Sequence, residues 1–141
     1  MQADFLEKAK MLLSKTQNTC VLCGKDVILT DNRRGIRPLL ELLENGADVS
    51  SFCVADKVVG KAAAYLYCLM GIAALYAGII SEPALHVLQD AGISVEYGQL
   101  VPSIRNRAGN GPCPMEKAVW NIETPAEALT AIQETLQSLS T

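Results

Sequence analysis

Between Lys61 and Glu82 the chain carries no charge for 20 residues. A run of that length either crosses a bilayer or lies buried inside a folded domain. Its texture selects burial. Ala62-Ala63-Ala64 is only weakly hydrophobic, Gly71 interrupts the run, and Leu75-Tyr76-Ala77-Gly78-Ile79-Ile80 has the composition of a buried strand. A buried helix, a tight turn and a parallel strand give the same uncharged stretch, because a parallel sheet is covered on both faces. The run predicts a helix from about Lys57 to Met70, a stop at Gly71, and a strand over Ala74–Ile80.

The flanks extend this pattern. Phe52-Cys53-Val54-Ala55 reads as a strand before the buried helix. Ser81-Glu82-Pro83 opens a helix ending at Gly92, and Ile93-Ser94-Val95-Glu96-Tyr97 follows as a strand. Strand, helix, strand, helix, strand with short connections requires right-handed crossovers and a parallel sheet. Ahead of it, residues 2–15 place Phe5, Ala9, Leu12 and Leu13 on one helical face. Thr19–Cys23 and Val27–Leu29 flank Gly24-Lys25-Asp26 as a β-hairpin. Ile36, Leu39, Leu40 and Leu43 form a helical stripe that Asn45-Gly46 ends. Beyond the sheet, Pro114–Asn121 reads as a short helix. Thr124-Pro125-Ala126-Glu127 is a capping box for the last one, with Leu129, Ile132, Leu136 and Leu139 inward. The expectation is one domain over residues 1–141: a three-layer α/β/α fold of about five strands, a hairpin followed by parallel βαβαβ, with a helical extension over 109–141.

Composition narrows the function. A net charge of −3 argues against a general binder of nucleic acid or anionic membranes. Five cysteines behind a charged, amphipathic start point to the cytoplasm. Cys20 and Cys23, three apart on a strand, point to opposite faces, and His86 is the only histidine, so their spacing offers no zinc site. Cys20, Cys23, Cys53 and Cys68 read as small core residues, and His86 as structural or exposed. Trp120 and Tyr97 read as core or rim.

Chemistry concentrates elsewhere. In Gly109-Asn110-Gly111-Pro112-Cys113-Pro114-Met115-Glu116-Lys117 a glycine loop delivers Cys113 to the N-cap of a proline-started helix. Glu116 stands three residues on, where an acidic side chain meets orphan backbone donors. A thiol in that place faces the positive end of the dipole, and the thiolate is its reactive form. Two other helix starts carry cations: Asn32-Arg33-Arg34-Gly35-Ile36-Arg37 and Asp56-Lys57-Val58-Val59-Gly60-Lys61. Cations there oppose the macrodipole, which suggests a compensating anion. Lys57 and Lys61, four apart, would share a helix face, with Asp56 as N-cap. Gly60 inside a helix costs about 1 kcal/mol against alanine unless something packs closely on it. Arg105 and Arg107 add a third basic cluster, and Gly109 and Gly111 allow close backbone approach to a phosphate-like group. The spacing is not that of a P-loop.

The element order resembles the cytidine deaminase-like fold; Ala74-Leu75-Tyr76-Ala77-Gly78 looks like that superfamily's strand after the second zinc-ligand helix, and Leu88-Gln89-Asp90-Ala91-Gly92-Ile93-Ser94-Val95 like its L-x-x-A-G-I-x-V segment. More closely, Gly35-Ile36-Arg37-Pro38-Leu39-Leu40, Ala55-Asp56-Lys57-Val58-Val59-Gly60-Lys61-Ala62-Ala63 and Cys113-Pro114-Met115-Glu116-Lys117-Ala118-Val119 resemble a prokaryotic family, the domain of unknown function numbered 1893. Active zinc deaminases carry H-A-E or C-A-E on the first of these helices and P-C-x-x-C at the second. Gly35-Ile36-Arg37 and Asp56-Lys57-Val58-Val59 stand there instead, so the resemblance implies no zinc, no zinc-dependent deamination and no other cofactor. It also implies that Arg33, Arg34, Arg37, Lys57 and Lys61 converge on the former metal pocket, that the Cys113 segment closes over it, and that the chain forms a homo-oligomer. Two functions follow. One is a metal-independent enzyme with Cys113 as nucleophile, Glu116 or Asp56 as acid/base, and Arg34, Arg37, Lys57, Lys61, Arg105, Arg107, Gly109 and Gly111 holding a small phosphate-bearing or nucleotide-like anion. The other is a non-catalytic binding, sensor or scaffold domain in which Cys113 only caps a helix.

Overall fold

A computed structural model describes residues 2–105, 109 and 111–139. Helix α1 (Gln2–Lys15) leads into the hairpin β1 (Cys20–Cys23) and β2 (Ile28–Asp31). Helix α2 (Arg37–Glu44), strand β3 (Cys53–Val59), helix α3 (Lys61–Met70), strand β4 (Ala74–Ser81), helix α4 (Glu82–Asp90) and strand β5 (Ser94–Val101) follow. The short α5 (Pro114–Ala118) and the longer α6 (Pro125–Leu139) end the described chain. One sheet has the order β2-β1-β3-β4-β5. β1 is antiparallel to β2 and β3, whereas β3, β4 and β5 are parallel. The hairpin followed by parallel βαβαβ is as expected.

The layers follow from the side chains. Phe5, Ala9 and Leu13 of α1 pack on Val21, Cys23 and Ala55, covering one face of the sheet. The other face carries the main core, in which Leu22, Val54 and Leu75 meet Leu66 and Tyr67 of α3, Leu88 of α4 and Ile132 of α6. Cys20 and Cys23 do lie on opposite faces, Cys20 in the main core and Cys23 under α1. The uncharged run resolves into α3, a left-handed stop at Gly71 (φ 70) and β4. Among the described residues no helix is long and apolar enough to cross a membrane.

Several boundaries differ from the sequence reading: β2 runs over Ile28–Asp31 and not Val27–Leu29, and α5 ends at Ala118 and not Asn121. β3 continues through Asp56-Lys57-Val58-Val59, and α3 starts only at Lys61. The β-branched pair Val58-Val59 favours extension, and Gly60 breaks it as the α3 N-cap. β5 likewise runs four residues past Tyr97. At the end of α6, Leu139 is exposed rather than inward, while Thr124 caps the helix as expected, accepting from the Glu127 N–H at 3.3 Å.

A crease crosses the three parallel strands. Val54 and Val59, five apart, lie in the same core, as do Leu75 and Ile80. Strict alternation would put each pair on opposite faces, so one residue in each strand stands out of phase. The register Asp56↔Ala77, then Val58↔Ile79, places it at Lys57 and Gly78; Ala77↔Tyr97, then Ile79↔Gln99, carries it on to Gly98. A Cβ on Gly78 would sit 2.8 Å from the Lys57 carbonyl oxygen, and one on Gly98 would sit 2.9 Å from that of Gly78. Backbone occupies the space a side chain needs, so glycine stands at both positions.

Candidate functional site

Helix α5 begins as read from the sequence, with Cys113 at the N-cap (φ −60, ψ 136) and Pro114 after it. The Cys113 N–H donates to the Ile104 carbonyl at 3.1 Å, and the Cys113 carbonyl accepts from the Lys117 N–H at 3.0 Å. The thiol makes no cap hydrogen bond, and the half-buried side chain packs on the main core.

Glu116 serves a different helix from its own. Its buried carboxylate accepts from the backbone N–H of Lys61 at 2.6 Å and of Ala62 at 2.9 Å, the first two residues of α3. Burial raises the Glu116 carboxyl above its ordinary range, while the Ala62 and Lys61 amides and the Lys61 charge work against that. Gly60 is the α3 N-cap, not an interior helical residue, and a Cβ there would collide with the Glu116 carboxylate. Close packing on Gly60 was a sound expectation. What packs there is the chain's own anion, and it compensates the positive end of α3.

Asp56 lies within β3 and caps no helix. Its carboxylate faces the main core side. The Tyr67 hydroxyl donates to Oδ2 at 2.6 Å, the Val58 N–H donates to Oδ1 at 3.3 Å, and Cys20 Sγ lies 3.3 Å from the Tyr67 hydroxyl. Cys20 is also the register partner of Asp56 on β1. Exclusion of water raises the Asp56 carboxyl to about 6, although the Tyr67 hydroxyl and the Val58 and Lys57 amides favour its ionised form. Burial and the Asp56 charge in turn push the Tyr67 hydroxyl and the Cys20 thiol well up. Sequence reasoning missed Tyr67. Its signal was a hydroxyl in an otherwise apolar helix, which needs a partner when buried.

The cations among the described residues lie on different elements. Lys57 is on a strand and Lys61 on a helix, so they share no helix face. Lys57 projects on the α1 side, into an open cleft of about 460 Å³ lined also by Glu7, Lys10, Met11, Tyr76 and Gly78. Lys61 Nζ donates to the Trp120 carbonyl at 3.2 Å and stands 5.6 Å from the centre of the Tyr65 ring. Arg33 forms ion pairs of 2.7 Å with both Asp31 and Glu41. Arg34 is exposed before α2, and Arg37 opens that helix beside a shallow groove shared with Leu136 and Gln137 of α6. Arg105 is exposed and forms an isolated β-bridge with Pro112. Gly109 takes a left-handed conformation (φ 72) and Gly111 is half-buried. Arg107 lies outside the described residues. Trp120 and Tyr97 are exposed rim residues, as is His86.

Comparison with curated proteins gives no match. The crystal structure of a DUF1893 family protein (TM1506) from Thermotoga maritima is similar with a TM-score of 0.84 at 28% sequence identity, over 96% of this chain and 90% of that one. The model of the family described as a domain of unknown function (DUF1893) matches residues 8–136, which spans every strand and the Cys113 helix. This chain belongs to the DUF1893 family.

Proposed function

We propose that this domain binds a small anionic molecule without transforming it, on a cytidine deaminase-like fold whose zinc ligands are replaced. The hairpin, the parallel βαβαβ and the places of α2 after the hairpin and α3 after β3 support the fold relationship, although Asp56-Lys57-Val58-Val59 lies within β3 and not at a helix start. One observation carries the binding reading: the 460 Å³ cleft between α1 and the sheet, lined by Lys57, Lys10 and Tyr76, with Lys10 Nζ 5.1 Å from the centre of the Tyr76 ring. That volume is in the ordinary range for small-molecule sites. An ammonium group beside an aromatic wall suits a phosphate-bearing, nucleotide-like ligand, with Lys57 on the anion. Glu116 supports the non-catalytic side, because both of its oxygens are occupied at α3. Cys113 then has a structural place.

A panel of nucleoside monophosphates and sugar phosphates, followed by amide chemical shifts, tests this. Shifts at Lys57, Tyr76 and Gly78, lost in Lys57→Ala, with no turnover, are expected. Shifts centred on Arg37 or Cys113, or turnover abolished in Cys113→Ala, would reverse it.

An enzymatic reading has one observation in its favour, the Asp56–Tyr67–Cys20 chain with a carboxyl near 6. A carboxyl that titrates close to neutral pH is suited to acid/base work. The two readings place chemistry on opposite faces of the sheet, so turnover sensitive to Asp56→Asn but not to Lys57→Ala selects the second.

A further inference from the structure

The two edges of the sheet are treated differently. β2 has four residues, follows the Gly24-Lys25-Asp26 turn and ends in the Asp31–Arg33–Glu41 ion pairs. Shortness and charge of this kind discourage edge-to-edge pairing. β5 has eight residues, pairs among the described residues only with β4, and is exposed without interruption from Glu96 to Leu100. It contains no proline, lysine or arginine, and its one charge, Glu96, is bound to Lys10 at 3.2 Å. Ser94 N–H donates inward to the Ala73 carbonyl, so by alternation Val95 and Tyr97 direct their backbone groups outward.

We infer that β5 is a self-association edge: it pairs antiparallel with β5 of a second copy about a two-fold axis between Tyr97 and Gly98. The strand's own pattern singles out this occupant. Pairing about that centre sets Val95 opposite Leu100 and Glu96 opposite Gln99, with no like charges opposed. It also lays each Tyr97 against the other copy's Gly98, where an aromatic ring covers a bare glycine. The faces agree because of the crease. Val95 and Leu100 both lie on the α4 side, Leu100 through its partner Ile80 in the main core. Glu96 lies on the α1 side with Lys10, as does Gln99, the neighbour of Leu100. Without the crease, residues three apart in one strand would face opposite ways. A two-fold contact uses the same patch on both copies, so one exposed strand suffices to close it.

Sedimentation velocity on the full chain across a concentration series tests the pairing. The wild type is expected to be a dimer that dissociates on dilution. Gln99→Glu opposes Glu96 of the other copy and weakens the dimer about tenfold or more, while Gln99→Lys tightens it. Gln99 is exposed, and unchanged far-ultraviolet circular dichroism in both variants certifies the fold. A monomer at millimolar concentration, or equal responses to the two charges, overturns the inference.

Discussion

The carboxylate of Glu116 occupies the space that a side chain on Gly60 would fill. The two residues are 56 positions apart in sequence, yet each explains the other. Glycine leaves room for the carboxylate, and the carboxylate satisfies the amides that follow the glycine. Removal of Glu116 leaves two backbone donors at a helix start without their acceptor. Glu116→Ala is expected to cost about 1–3 kcal/mol in urea unfolding. Gly60→Ala is expected to cost a similar amount by displacing the carboxylate, about 1–3 kcal/mol. Their double variant should lose less than the sum by at least about 0.5 kcal/mol. Strict additivity would mean the contact carries no energy.

Asp56 should make stability fall with rising pH. An unfolded aspartate releases its proton near pH 4, whereas the folded protein holds it to about 6. Between those values the folded state binds more protons, so stability declines as pH rises through the window. The contribution is complete below about pH 4 and gone above about pH 6. Glu116, raised by burial, acts in the same direction; Asp31, lowered chiefly by Arg33, acts in the opposite one. Comparison of wild type with Asp56→Asn isolates the Asp56 part. The variant is expected to gain about 1–3 kcal/mol at pH 7 relative to pH 4, after allowance for partial solvent access. Parallel pH profiles in the two proteins would contradict the burial of this carboxyl.

The crease should not tolerate a methyl group. In Gly78→Ala the new Cβ meets the Lys57 carbonyl oxygen, which belongs to a neighbouring central strand and cannot swing aside. A loss of about 1–3 kcal/mol in thermal or urea unfolding is expected. A variant as stable as wild type would show that the strands move apart at no cost.

Cys113 should be replaceable without loss of the fold. Its thiol makes no cap hydrogen bond, so Cys113→Ser supplies an acceptor that α5 lacks. A gain of about 0.5–1 kcal/mol is expected for the serine variant in urea unfolding. A large loss would locate the value of Cys113 in its packing on the core instead.

Much of the architecture was legible because it rests on burial patterns that neighbouring residues reinforce. The uncharged run could be parsed into α3, Gly71 and β4 because a glycine in the left-handed region stops a helix wherever it stands. The boundary of β3 was less legible. Lys57 and Lys61 are four apart, which is a helical spacing, and only the β-branched Val58-Val59 spoke for extension. That one boundary decided the site, because it moved Asp56 and Lys57 to opposite faces of a strand. The partner of Glu116 was beyond reach for a different reason. The rule that joins an acidic residue to helix amides is local, and it pointed to α5 itself, whereas the amides it serves lie 55 and 54 residues earlier.

That separation bears on the order in which the chain can be completed. During synthesis from the N-terminus, the residues of α3 are made before Glu116 exists. Without Glu116 in place, the first amides of the helix lose their carboxylate acceptor. Contacts so far apart in sequence slow folding, since a long loop must close before they form. The last third of the chain therefore acts as a latch: the central helix is locked at its N-terminal end only when Glu116 has folded back onto it.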